Sequence, residues 1–104
     1  MCIKVDMIEV RQTEEFAHWL ASLRDDLAAK RIKQRIARVQ IGLFGDVKPV
    51  GEGLSELRID HGPGYRVYFA RRGDILVILL CGGDKGSQTR DIARAKALAE
   101  QLED

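Results

Sequence analysis

The segment Glu56–Thr89 restricts the fold of this chain more than any other part of the sequence. Within it, Ile75–Leu80 is apolar at every position, which is typical of a strand covered on both faces of a sheet. Two shorter runs, Glu56–Asp60 and Tyr65–Phe69, alternate apolar and polar residues and therefore predict half-buried strands. The segment predicts a small sheet with its most apolar strand in a central position.

The two alternating strands constrain each other's register. Cross-strand partners point to the same side of a sheet, so the apolar sets meet only if the turn contains an odd number of residues. A three- or five-residue loop around Gly62-Pro63 meets this condition and places Arg58, Arg66 and Tyr68 together on the opposite face. The register therefore predicts a patch of two cations and a phenol on one sheet surface.

Helical periodicity accounts for much of the remaining chain. Thr13 is predicted to cap a short amphipathic helix, and a second helix is predicted from about Asp26 to Phe44. A third helix follows the glycine-rich loop Gly82–Gly86, with Ser87 or Thr89 as its cap. The apolar stripes of the three helices are Phe16, Trp19, Leu20 and Leu23; Ile32, Ile36, Val39 and Leu43; and Ile92, Ala95, Leu98, Ala99 and Leu102.

These elements predict one α+β domain over residues 1–104, a length that supports a single modest core. A first strand is expected somewhere within Ile3–Arg11, and Met1–Asp6 is a possible N-terminal extension. Asp46–Gly53 is interpreted as a turn-rich connection. The predicted order is β-α-α-β-β-β-α, with the helices packed on a small, mainly antiparallel sheet.

Composition excludes several classes of protein. The net charge of +1 neither favours nor excludes a nucleic-acid partner, so the distribution of charge must decide. Cys2 and Cys81 make no disulfide framework, and Cys81 is expected to be a small buried hydrophobe. The absence of a Cys/His cluster argues against a zinc site, and no cofactor is expected. No apolar run reaches the roughly 18 residues of a membrane span, so a cytoplasmic protein is expected.

The second predicted helix carries the one strongly basic stretch of the chain. Its cations are Lys30, Arg31, Lys33, Arg35 and Arg38. They form either a solvated helix face or a surface that binds the phosphate backbone of a nucleic acid. On the second interpretation, Lys30, Lys33, Arg35 and Arg38 are the candidates for RNA binding.

The loop CGGDKGS does not match the nucleotide-binding phosphate loop, because Lys85 precedes Gly86 instead of following the required glycine. Two interpretations remain open. Free backbone N–H groups and Lys85 could hold one phosphate oxygen at the start of the third helix. Alternatively, the loop is an ordinary strand-to-helix turn with an exposed lysine.

The patch of Arg58, Arg66 and Tyr68 also has two interpretations. It is either an ordinary exposed sheet face paired with acidic neighbours or a site for RNA phosphate. RNA cleavage requires proton transfer and stabilisation of charge on the phosphorane, and Arg and Lys supply the second of these. Tyr can stack on a base or hold a proton, and His61 in the turn could swing toward the same face.

Several stretches in order resemble one known family. They are MIEVRQTEEF from Met7, FGDVKPVGEGLSELRIDHGPGYRVYF at Phe44–Phe69 and LLCGGDKGSQTRDIARAKALA at Leu79–Ala99. On these residues the chain resembles the RelE/ParE toxin superfamily, specifically the HigB-like addiction module killer branch of type II toxin–antitoxin systems. The resemblance extends over nearly the whole chain.

The resemblance implies a toxin that cuts mRNA on translating ribosomes. It implies that Arg58 and Arg66 bind RNA phosphate, that Lys85 assists from its loop and that Tyr68 is the nearest aromatic candidate for catalysis. The implied partner is a cognate antitoxin, often a helix-turn-helix protein, through which alone the toxin would contact operator DNA. No membrane partner is implied, and the isolated toxin is expected to be a monomer.

Two alternatives stay open on the same fold. A ParE-like toxin inhibits DNA gyrase by binding and performs no catalysis, and fold alone does not separate it from a nuclease. A non-toxic protein that regulates its operon through the antitoxin is the third possibility.

Overall fold

The computed structural model describes residues 7–102 and shows one five-stranded sheet with helices on both faces. Its strands are β1 (Glu9–Gln12), β2 (Val47–Gly51), β3 (Leu54–Ile59), β4 (Tyr65–Arg72) and β5 (Leu76–Asp84). Its helices are α1 (Glu14–Ser22), α2 (Asp26–Gln40) and α3 (Gln88–Glu100), with a 3₁₀ turn at Lys85–Ser87 before α3. The predicted extension Met1–Asp6 lies outside the described residues.

The predicted α+β class is confirmed. The strand order is β1-β5-β4-β3-β2, and β1 with β5 is the parallel pair in an otherwise antiparallel sheet. The observed sequence of elements is β-α-α-β-β-β-β-α, one strand more than predicted.

The additional strand is β2, in the segment that was interpreted as a turn-rich connection. It pairs antiparallel with β3 at the edge of the sheet, where Pro49 needs no ladder hydrogen bond on its outer side. Glu52 and Gly53 join the strands with positive φ angles of 56° and 76°, as the tightest hairpin turns require. The Pro and Gly residues that indicated a connection therefore belong to an edge hairpin.

The observed starts of α1 and α2 agree with the prediction, whereas the observed end of α2 does not. Thr13 Oγ1 accepts a hydrogen bond from Phe16 N at 3.0 Å, which confirms Thr13 as the cap of α1. Helix α2 begins at Asp26 as predicted but ends at Gln40, because Gly42 takes a left-handed φ of 84°. Leu43 is therefore 59% exposed and does not belong to the core stripe.

Two apolar clusters lie on opposite faces of the sheet. One packs α1 and α2 against the sheet, and the other packs α3 against it. The first contains Ile8, Phe16, Ile32, Val39, Leu57, Ile59, Val67, Phe69, Val77 and Leu79, and the second contains Leu54, Tyr68, Ala70, Leu80, Cys81, Ala95 and Leu98. Because β5 contributes to both clusters and lies between β1 and β4, its predicted central position is confirmed.

Strand β5 continues beyond Leu80 into the predicted loop, through two glycines that contact helices closely. A Cβ on Gly82 would lie 2.3 Å from Cε3 of Trp19, and one on Gly83 would lie 1.8 Å from Oδ2 of Asp91. Cys81, the residue before Gly82, is buried beneath α3, and desolvation by burial, followed by the charge of Asp91, raises the pKa of its thiol to about 12. Its predicted character as a small buried hydrophobe is confirmed.

Candidate functional site

The turn between β3 and β4 has five residues, 60–64, and the predicted register is confirmed. Arg58 pairs with Arg66, and Glu56 pairs with Tyr68, so these four side chains lie on one face of the sheet. The face has two environments, because α3 covers the end that contains Glu56 and Tyr68 and leaves the end near the turn open.

Tyr68 lies at the covered end and is fully buried. Burial, and next the charge of Glu56, raises the pKa of its phenol above the ordinary range for tyrosine. Its hydroxyl makes no hydrogen bond with the described residues. The expectation that Tyr68 contacts RNA from an exposed sheet face is therefore wrong, because the side chain belongs to the core beneath α3.

The open end forms a cleft of about 440 Å³. It is lined by Asp46, Arg58, Ile59, Asp60, Gly62, Pro63, Gly64, Arg66 and Lys85. Three of the four predicted catalytic residues, Arg58, Arg66 and Lys85, thus share one cavity. Three cations around one open cleft can bind an anionic group such as a phosphate.

Gly64 lies next to the side chains of two of these cations, Arg66 and Lys85. Its φ is 81°, and a Cβ there would lie 3.3 Å from Arg66 Nη1 and 3.5 Å from Lys85 Cβ. A side chain at this position would therefore be strained and would crowd both residues. Glycine keeps the cleft open between them.

The three cations of the cleft differ in their exposure to solvent and in the polar contacts that restrain them. Arg58 is 41% exposed, and its Nε lies 3.8 Å from Asp46 Oδ2 in a loose ion pair. The Arg66 side chain is 9% exposed, and its Nη1 donates to the carbonyl of Gly64 at 3.1 Å. Lys85 is exposed and has no ion pair within the described residues. Arg66 is therefore the most restrained of the three cations that line the cleft.

The turn that presents Lys85 is not a nest of free N–H groups. Asp84 Oδ1 accepts hydrogen bonds from Gly86 N at 2.8 Å and from Ser87 N at 3.1 Å. Two of the N–H groups that could have held a phosphate are therefore occupied, and the predicted loop is shorter than Gly82–Gly86 because β5 extends to Asp84. Asp84 caps the 3₁₀ turn, and Ser87 lies at the N-cap position of α3 as one of the two predictions had it, although its side chain makes no capping hydrogen bond there. Lys85 is exposed on this turn.

Arg35 is the exception among the predicted RNA-binding residues of α2. Its guanidinium donates to the carbonyls of Arg58 at 2.5 Å, Phe44 at 2.9 Å and Asp46 at 3.2 Å. Partial burial lowers its pKa from the ordinary arginine value. Arg35 thus connects α2 to β3 and to the loop before β2, whereas Lys30, Lys33 and Arg38 are exposed.

Replacing Arg35 with Ala is expected to lower the free energy of unfolding by about 2 kcal/mol, because charge-assisted bonds to three carbonyls are lost. Arg31→Ala removes an exposed arginine from the same helix and should change it by no more than about 0.5 kcal/mol. Urea unfolding of both variants measures the difference. Equal stability of the two would show that Arg35 is not a structural residue.

His61 does not point toward the arginines. Its Nε2 lies 3.0 Å from Oδ2 of Asp25, the residue that caps α2. The backbone hydrogen bond from Ala28, and next the bond with His61, lowers the pKa of the Asp25 carboxyl below its usual value. His61 therefore connects the turn to α2.

The sequence interpretation considered Glu56 only as an acidic partner of the arginines on an exposed sheet face, and it assigned no role to Gln88. Glu56 is buried beneath the start of α3, and both of its carboxylate oxygens accept hydrogen bonds from Gln88 Nε2, at 3.1 and 3.0 Å. Oε2 of Glu56 also lies 3.5 Å from Nε of Arg66. The only indication in the sequence that Glu56 belongs near the site was its position on the same strand face as Arg58.

The described part of the chain, residues 7–102, holds no group of three or more His, Cys, Asp or Glu residues arranged to bind a metal ion. In the same part of the chain, no helix is long and apolar enough to cross a membrane.

Comparison with known sequences relates residues 18–103 to the family described as phage derived protein Gp49-like (DUF891). An uncharacterized protein of Haemophilus influenzae is 50% identical over 95 residues, which cover 91% of this chain and 96% of that protein.

Solved structures with the same fold are more distant in sequence. A mutant of the E. coli toxin RelE in the free state superposes with a TM-score of 0.69 at 13% identity, covering 92% of this chain and 99% of RelE. The conserved hypothetical protein HP0894 of Helicobacter pylori has a TM-score of 0.50 at 16% identity, covering 77% of this chain and 97% of that one. At these identities the likeness establishes a RelE-like fold.

Proposed function

Since this chain belongs to the Gp49-like (DUF891) family and has the fold of RelE, we propose that it is a toxin of a type II toxin–antitoxin system that cleaves mRNA on the ribosome. The observation that carries the proposal is the cleft in which Arg58, Arg66 and Lys85 converge. A cognate antitoxin, of the helix-turn-helix kind expected from the resemblance, neutralises the toxin.

The cleft suits the electrostatic part of RNA cleavage. When a 2′-oxygen attacks the adjacent phosphorus, negative charge increases on the phosphorane oxygens, and fixed cations stabilise that charge more strongly than water does. Arg66 is the pre-oriented cation, and Arg58 and Lys85 complete the set around the same phosphate. The exposed Lys30, Lys33 and Arg38 on α2 bind flanking RNA.

Among the described residues, the lining of the cleft contains no imidazole and no phenol. In a nuclease of this design the ribosome must orient the 2′-hydroxyl and assist the proton transfers, which is why we propose cleavage only on ribosome-bound mRNA. The same observation favours a second candidate function, a ParE-like inhibitor that binds DNA gyrase and performs no catalysis.

The two functions separate in one expression experiment. The chain is induced in bacteria, and the 5′ ends of mRNA, the rate of translation and plasmid supercoiling are measured together. The nuclease predicts new mRNA 5′ ends and arrested translation with normal supercoiling. Intact mRNA with altered supercoiling would replace the first proposal by the second, and normal growth would contradict both.

A lysine pair provides the matched control. Lys85→Ala removes a cation from the cleft, and Lys48→Ala removes an exposed lysine from β2, outside the cleft. Cleavage should fall about 10-fold or more in the first variant, the scale of one stabilising group, and should be unchanged in the second. Equal loss in both variants would show that total charge matters and that the cleft does not.

A further inference from the structure

The polar contacts of Arg66 extend out of the cleft into the interior of the protein. Its Nη1 donates to the carbonyl of Gly64, a residue that lines the cleft, and at 3.4 Å to the carbonyl of Tyr65. Its Nε faces the interior, where Glu56 Oε2 lies at 3.5 Å. This contact is not a hydrogen bond, and Nε has no hydrogen-bond partner within the described residues.

Glu56 stops short of Arg66 because another residue holds its carboxylate. Gln88 Nε2 donates to both carboxylate oxygens at 3.0–3.1 Å. Gln88 is the first residue of α3, directly after the turn that presents Lys85. Glu56 and Gln88 are 32 positions apart, so this contact forms only when α3 packs on the sheet.

A carboxylate and an arginine at this distance would otherwise form two parallel hydrogen bonds, the most favourable geometry for such a pair. That pairing would turn at least one Nη group of Arg66 toward Glu56 and reduce the positive charge that Arg66 offers to the cleft. A buried ion pair is also weak support for stability, because desolvation of the charges offsets their attraction. The incomplete Glu56–Arg66 pair therefore calls for an explanation other than stability.

We propose that Glu56 and Gln88 are positioning residues for Arg66. Gln88 restrains the Glu56 carboxylate, and Glu56 directs the Nε side of the guanidinium inward. The Nη groups then face the cleft and remain available to a phosphate. This inference rests on the proposed function in naming RNA phosphate as the ligand, whereas the orientation of Arg66 can be measured without RNA.

The first test is kinetic and uses mRNA on programmed ribosomes. Gln88→Met keeps the length of the side chain but removes its amide, and Gln101→Met is the matched control at an exposed position just after α3. Gln88→Met should lower kcat by about 10- to 100-fold, as misplacement of a reacting group does, and leave KM nearly unchanged. Gln101→Met should behave as the parent.

A merely structural role for Gln88 predicts a different pattern. Activity would then follow the fraction of folded protein and would recover at a temperature where Gln88→Met is fully folded. That result would overturn the proposal, and so would unchanged kcat in the folded variant. Glu56→Gln keeps the shape without the charge and should also lower kcat. Full activity of that variant would exclude an electrostatic role for Glu56.

The second test observes Arg66 directly by NMR. The Nε–Hε signal of Arg66 is identified by its loss in Arg66→Lys and is compared between parent, Gln88→Met and Gln101→Met. The proposal predicts a shift in Gln88→Met, as Glu56 closes on Arg66, and none in Gln101→Met. An unmoved signal in Gln88→Met would overturn it. If the parent cleaves no RNA, the proposed function fails, and this spectrum still decides whether Gln88 positions Arg66.

Discussion

Replacing Arg66 with Ala is expected to abolish RNA cleavage and to lower the free energy of unfolding by about 3 kcal/mol. The first effect follows from the position of Arg66 in the cleft, where it is the most restrained cation. The second follows from Glu56, whose side chain is 2% exposed and would keep a buried charge without its cation. Urea unfolding and cleavage of ribosome-bound mRNA measure the two effects separately.

A double variant separates the two consequences of this substitution. Glu56→Gln combined with Arg66→Ala removes the uncompensated charge, so most of the lost stability should return while cleavage remains absent. Arg58→Ala is the complementary control, since its exposed ion pair with Asp46 contributes about 1 kcal/mol or less. It should weaken cleavage and leave stability nearly unchanged. Recovery of cleavage in the double variant would show that Arg66 does not belong to the site of cleavage.

Gly82→Ala is expected to destabilise the fold by about 3 kcal/mol or more, at the upper end of the range for overpacked cores. The new methyl carbon would lie 2.3–2.5 Å from the Cε3, Cζ3 and Cδ2 atoms of Trp19. The indole is rigid and packs against Phe16 and Tyr65, at ring-centroid distances of 5.8 and 6.2 Å, so it cannot move alone. The shift in the urea midpoint measures the loss.

Gly86→Ala is the matched control for this prediction. Among the described residues, its new Cβ would have one neighbour within 4 Å, Asp84 Oδ1 at 3.2 Å, a contact that a shift of a few tenths of an ångström relieves. We expect a change of about 1 kcal/mol or less. Combining Gly82→Ala with Trp19→Leu should recover part of the loss, because the smaller side chain leaves room for the methyl group. A Gly82→Ala protein as stable as the parent would contradict the observed approach of α1 to β5.

Much of the fold was predictable from local patterns. The alternation in β3 and β4 required an odd turn, and the five-residue turn confirms that register and the shared face of Arg58 and Arg66. The unbroken apolar run of β5 predicted a strand covered on both sides, as observed. Strand β2 was missed because Pro49 and its neighbouring glycines have the composition of a loop, which the edge of a sheet tolerates.

The candidate site was predictable only in part, because its residues depend on contacts distant in sequence. Placing Arg58, Arg66 and Lys85 in one cleft agrees with the expected clustering, although their proposed role in RNA cleavage remains a prediction. Tyr68 could not be assigned correctly, since strand alternation does not tell which part of a face a helix will cover. Arg35 has the same charge as the exposed lysines of α2, and only its three carbonyl partners distinguish it.

The sequence by itself determined the class of fold, the register of β3 and β4 and the face on which Glu56, Arg58, Arg66 and Tyr68 lie. Periodicity and turn length decide these, and both are local properties. Only the tertiary structure decided which end of that face is open. Helix α3 packs its apolar stripe over Tyr68 and brings Gln88 to Glu56, so two side chains enter the interior while Arg58 and Arg66 border the cleft.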